Sequence, residues 1–153
     1  MSVDFYVAVP AANWPTAELV QRCMTERAYP VQIKRFPSFS PKQVVTDGAL
    51  VNVDGATEAY LEGRVFSSIS GSDDVEMINK QLAATSGSFR ISPNDAVISI
   101  HLRSPAEMRA ASYVISGLIV CFQGYGFEPQ GNAHGREDFA KTLIDGASAL
   151  KGL

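Results

Sequence analysis

From Met108 to Phe122 the chain carries one charged residue, Arg109, in a run that is otherwise apolar or small. The start of this run is marked by Ser104 at a capping position, Pro105 at the first helical position and Glu107 three residues after the cap. A helix that is apolar on nearly every side has to be covered on every side. The segment therefore predicts a buried central rod, ended by Gly124. Ala110, Ala111, Ser112, Ser116 and Gly117 are small enough for a sheet or helix to approach closely.

The rest of the chain supplies the cover. Asp4 to Val9 reads as a strand stopped by Pro10, and a helix follows from Trp14 to Tyr29 with Asn13 as its cap. Val31 to Phe36 alternates as a second strand. Ala49 to Val53 and Thr57 to Glu62 flank Asp54-Gly55, a two-residue hairpin signal, and a bulge at Gly63 would carry the strand on to Ile69. In the return strand Glu58, Tyr60 and Glu62 share one side and Thr57, Ala59 and Leu61 the other. A helix over Asp73–Thr85 opens on a capping box of Asp73 and Glu76. Ser88–Ile91 reads as a short strand. Ala96 to Arg103 alternates, with Ser99, His101 and Arg103 on its more polar face. Tyr125–Phe127 forms a short edge strand, and a last helix runs from Gly135 to Leu150. This order predicts one α+β domain over residues 1–153. Its sheet is mixed or mostly antiparallel, with about four helices packed mainly on one face.

Composition removes several classes of function. Thirteen basic and sixteen acidic residues give a formal net charge of −3, with no basic stripe, so nucleic acid is not an expected partner. The longest uncharged apolar run, Ala110 to Phe122, falls short of the ~20 residues of a membrane span. The N-terminus lacks the basic region of a signal peptide, and a cytoplasmic protein is expected. Cys23 and Cys121 sit in apolar helical patterns and read as buried free thiols, with a single disulfide as the alternative.

No catalytic set assembles along the chain. There is no nucleophile elbow, and Cys121 in an apolar helix has its thiolate disfavoured. Two distant histidines without spaced cysteines predict no metal site. The glycines at 124, 126 and 131 follow a helix and lack a phosphate-loop ending, so no cofactor is expected. His101 and His134 each have an arginine two residues later, Arg103 and Arg136. A cleft joining them is the alternative reading, that of a small enzyme or small-ligand binder.

The helix rich in Ala and Ser, running into Gly124-Tyr125-Gly126-Phe127-Glu128-Pro129-Gln130-Gly131-Asn132, resembles an element of small cytoplasmic bacterial immunity proteins encoded beside polymorphic or contact-dependent toxins. That resemblance covers about 30 residues. It implies a non-enzymatic protein that neutralises a cognate toxin by binding and occluding it. Exposed carboxylates would suit a basic toxin domain. The residues expected to touch such a partner are Glu58, Tyr60 and Glu62 on the strand, and Tyr125, Glu128 and His134 in the late loop, because aromatic anchors amid charge are the usual make-up of an interface hot spot. A homodimer formed by pairing of an exposed strand edge is the third reading.

Overall fold

Alternation in the longest strand divides the molecule into two sides. A computed structural model describes residues 2–152. Its strands are β1 (Val3–Pro10), β2 (Val31–Arg35), β3 (Ala49–Val53), β4 (Thr57–Phe66), β5 (Asp95–Leu102), β6 (Tyr125–Glu128) and β7 (Ala133–Gly135). Its helices are α1 (Ala17–Glu26), α2 (Ser72–Ala83), α3 (Pro105–Phe122) and α4 (Glu137–Ala149). Among the described residues the strands form one antiparallel sheet in the order β2-β3-β4-β5-β1-β6-β7, so the fold is α+β.

In β4 the residues Ala59, Leu61 and Val65 are buried against the larger core, whereas Glu58, Tyr60, Glu62 and Arg64 are exposed. The larger core joins the buried residues of β1 to β5 with those of α1, α3 and α4 on one face. A smaller core on the other face seats Val75, Ile78 and Leu82 of α2 over Phe66, Val97, Ala8 and Phe127. The hairpin forms at Asp54-Gly55 but closes through three residues and not two, because Val53 pairs with Thr57 and Ala56 joins the loop; φ is 55° at Asp54 and 90° at Gly55.

The rod is where the sequence places it. Every residue from Arg109 to Ile119 is buried. Ser104 Oγ accepts from the Glu107 N–H at 3.2 Å, and Glu107 Oε1 accepts from the Arg103 N–H at 3.1 Å. Its single charge is satisfied in the interior. The Arg109 guanidinium donates twice to Asp54 at 2.8 Å, donates to the Ala147 carbonyl and lies 5.2 Å from the Tyr113 ring centre. This ties the β3–β4 turn to α3 and to the end of α4.

Several local expectations are corrected. α1 begins at Ala17 with Thr16 Oγ1 accepting from the Leu19 N–H, and Asn13 does not cap it. Asn13 instead donates to Gln123 Oε1 at 3.2 Å, while Trp14 packs beside Phe36 and Phe39 and donates its indole N–H to the Pro37 carbonyl. α2 has no side-chain cap; Asp74 pairs with Arg64 and Glu76 with Lys80. Gly63 makes no bulge, because pairing runs unbroken from Glu62↔His101 to Phe66↔Val97. A Cβ at Gly63 would stand 2.4 Å from the Ser99 carbonyl oxygen, so the glycine allows close strand approach. Ser88–Ile91 is no strand, since the Asn79 amide takes both backbone groups of Ile91. Gln123, with φ 61°, is the left-handed residue that ends α3, and the N–H of Gly124 donates to Leu118. β6 is internal, with β7 outside it. Cys23 and Cys121 are not free thiols, and only Cys23 is buried, Cys121 being exposed near the end of α3. α1 and α3 bring their Cα atoms to 6.3 Å, within bridging distance, and a disulfide joins them.

Candidate functional site

α2 covers only part of its side of the sheet, and the uncovered part carries the first three predicted contact residues. Cross-strand register fixes their neighbours. Leu50 lies opposite Tyr60 and Asn52 opposite Glu58, while Glu62, His101 and Asp4 form one row across β4, β5 and β1. Side chains directly opposite on one face stand close enough to interact.

The charges there are paired. Lys34 Nζ reaches Glu58 at 3.0 Å, Arg35 reaches Asp47 at 2.9 Å and Arg64 reaches Asp74 at 3.1 Å. Arg103 reaches Glu62 at 2.6 Å, and His101 Nδ1 stands 2.5 Å from Asp4 Oδ1. Glu58 and Glu62 thus stand within a mosaic of both signs and do not make a uniformly acidic patch. Tyr60 is 41% exposed and fixed in place. Its hydroxyl donates to Asp47 Oδ1 at 2.9 Å and accepts from the Gly48 N–H at 3.1 Å, while Arg35 lies 5.8 Å from its ring centre. Hydrogen bonds from Arg35 foremost, then from Tyr60 and the Gly48 N–H, hold the Asp47 carboxyl below its usual range against the opposing effect of burial.

Beside Tyr60 lies a cleft of about 390 Å³ lined by Thr46, Glu62, Gly63, Arg64, Ser99 and His101. The Asp4–His101 pair is the nearest approach to acid–base chemistry. Asp4 engages Nδ1, which leaves Nε2 as the nitrogen a ligand would meet. Ser99 lies two residues along the same strand face, and no hydrogen bond joins it to the imidazole among the described residues.

The late-loop residues form a separate cluster. Tyr125 stacks on Phe89 with ring centres 4.0 Å apart, and its oxygen lies 2.6 Å from His134 Nδ1. Burial pushes the Tyr125 phenol above its usual range, which keeps it protonated and able to donate to that nitrogen. Arg136 lies over the rings of Phe89 and Tyr125 and donates to the Gln123 carbonyl at 2.8 Å. Glu128 accepts from the Gly131 N–H within its own turn. Tyr125, Glu128 and His134 therefore brace the loop internally. The structure does not bring them against Glu58, Tyr60 and Glu62. It also separates the two histidines, with His101 in β5 and His134 in β7 three strand spacings apart. That is about 14 Å across the sheet.

Sequence reasoning missed Asp4, Arg35, Asp47, Arg64 and Asp74 as members of this surface. Asp4 meets His101 97 residues away through the β1–β5 register, whereas Arg35 meets Asp47 of the loop before β3 and Arg64 meets Asp74 of α2, contacts that only the fold brings about. Among the described residues, no three or more His, Cys, Asp or Glu side chains gather as a metal site would need, and no helix is long and apolar enough to cross a membrane. Compared with protein-family models, with curated proteins and with solved structures, the chain matches none.

Proposed function

We propose that this chain is a non-enzymatic binding protein that receives a protein partner on the uncovered part of the sheet, with Tyr60 as the anchor and Glu58 and Glu62 beside it. The observation that carries this reading is the preset Tyr60 ring, exposed yet held by Asp47, Gly48 and Arg35. An aromatic side chain already fixed loses little rotamer freedom on binding. The paired charges around it offer both signs to a complementary surface and favour register and specificity over simple attraction.

The specific form of this reading is an immunity protein that occludes a bacterial toxin. It is tested by co-expressing the chain with the product of the neighbouring gene. If that product is toxic alone, the native chain should restore growth and the Tyr60→Ala, Glu58→Lys double variant should fail to. A folded double variant that protects fully would remove the proposed surface.

A small-ligand reading is favoured by one observation, the Asp4–His101 pair at the cleft. It rests on His101 alone, since His134 belongs to the Tyr125 cluster. His101→Ala and Tyr60→Ala compared separate the two readings, because a small ligand should depend most on His101 and a protein partner most on Tyr60. The disulfide bears on the compartment. It supports an oxidising setting over the reducing cytoplasm, where such bridges are rare. Alkylation of the protein at the moment of cell lysis, followed by counting of labelled thiols, decides between them.

A further inference from the structure

We propose that the outer edge of β2 is a strand-docking edge held shut by Gln21, and that the occupant it excludes is β2 of a second copy of this chain. A terminal strand presents unpaired N–H and C=O groups and is a ready template for another chain. In β2 the Pro30 carbonyl accepts from the Asp54 N–H, toward β3. Alternation then turns the polar groups of Val31 and Ile33 outward. Three of those groups, both of Val31 and the N–H of Ile33, are taken from within the molecule. The Val31 N–H donates to the Tyr29 carbonyl at 2.8 Å. The Gln21 amide, reaching down from α1, donates to the Val31 carbonyl at 3.3 Å and accepts from the Ile33 N–H at 2.6 Å.

One side-chain amide thus stands where a neighbouring strand would stand. Its orientation is fixed as well, because Gln21 Nε2 also donates to Thr25 Oγ1 at 3.1 Å. The fold uses the same substitution elsewhere, where the Asn79 amide holds the N–H and C=O of Ile91. Beyond Ile33 the β2 ladder shifts register, and Lys34 and Arg35 are exposed, so the edge is open to pairing only where Gln21 sits. The opposite edge, β7, has three residues and ends on Gly135 at φ 142°, which leaves little ladder for a β2–β7 contact. The pairing left is β2 against β2, antiparallel across a two-fold axis.

Gln21→Leu tests this, since it keeps helix propensity and removes both hydrogen-bonding ends. In the native protein the Ile33 amide should resist hydrogen exchange despite its edge position. At low concentration it should exchange at least about tenfold faster in Gln21→Leu. In sedimentation equilibrium the variant should show a mass that rises toward the dimer with concentration, while the native mass stays constant. Gln21→Glu keeps the acceptor for Ile33 and loses the donor to Val31, so it should fall between the two and serves if Gln21→Leu fails to fold. Equal Ile33 exchange in native and variant protein would overturn the proposal. So would a variant whose mass does not change with concentration.

Discussion

The two faces of the sheet are built from the same strands by the same alternation, yet different forces hold them. On the helix-covered face, Val7, Leu61, Val65, Ile98 and Ile100 meet Val114, Ile115 and Leu118 of α3 in a dry core. Burial there is non-directional, and most of its free energy scales with apolar area. On the uncovered part, Lys34–Glu58, Arg35–Asp47, Glu62–Arg103 and Asp4–His101 are directional pairs reached by water. Exposed pairs of this kind contribute little to folding. The first face accounts for the fold, and the second is free to be specified by something outside it.

The largest effects should therefore come from the covered face. Leu118→Ala removes a fully buried side chain and should cost about 2–5 kcal/mol in urea unfolding. Tyr60→Ala should stay within about 1 kcal/mol by the same measurement. Equal losses at the two sites would erase the distinction between the faces. The Cys23–Cys121 bridge staples α1 to α3 across a separation of 98 residues. Replacing both cysteines by alanine should cost about 2–4 kcal/mol, read as a lower urea midpoint that reductant no longer changes.

Arg109 sharpens the comparison, because it is an ion pair on the covered side. It is 4% exposed, and Asp54 is its partner. Arg109→Met should cost about 3 kcal/mol, the lower end for breaking a buried pair, since Asp54 at the turn can still hydrate. The pair also sets an acid response. Hydrogen bonds from Arg109, opposed by burial, lower the Asp54 pKa. A carboxyl whose folded pKa lies below its unfolded value gives stability that is fully present above the unfolded pKa, near about 4. That stability is lost as pH falls from there through the folded value. Asp54→Asn should flatten the fall in urea midpoint below about pH 4. Asp47 has the same sign of shift, but Arg35 beside it is half exposed. Salt at about 1 M should suppress the Asp47 share of the acid response and leave the Asp54 share largely intact.

The same contrast explains what could be read from the sequence. The covered face was legible because period and composition identify it. The apolar run from Met108 to Phe122 reads as interior and is so from Arg109 to Ile119, Ser104–Glu107 reads as a helix start, and Ala59 and Leu61 alternate with polar neighbours. The uncovered face was legible only within single strands. Glu58, Tyr60 and Glu62 could be placed on one side, but Asp4 beside His101 or Arg35 beside Asp47 depends on which strands pair and in what register. Arg109 shows the same limit. Its isolation in the rod was visible, but its partner was not, because Asp54 lies 55 residues away in a turn. The cysteines failed for a related reason, since apolar surroundings implied burial, which holds for Cys23 and not for Cys121, and only the crossing of α1 and α3 brings the two together.

The smallest expected effect is the most pointed. Lys34 and Glu58 form a pair at 3.0 Å with side chains 47% and 58% exposed. Lys34→Gln should leave the urea midpoint indistinguishable from the native one, because water and salt already screen the pair and two long side chains are ordered to make it. A marked loss of stability would mean that the mosaic around Tyr60 is part of what folds the sheet, and that face would then be poorly suited to rearranging its charges against a partner. An unchanged midpoint combined with altered capture of the neighbouring gene's product would place the function of Lys34 outside folding, which is what a surface kept for recognition requires.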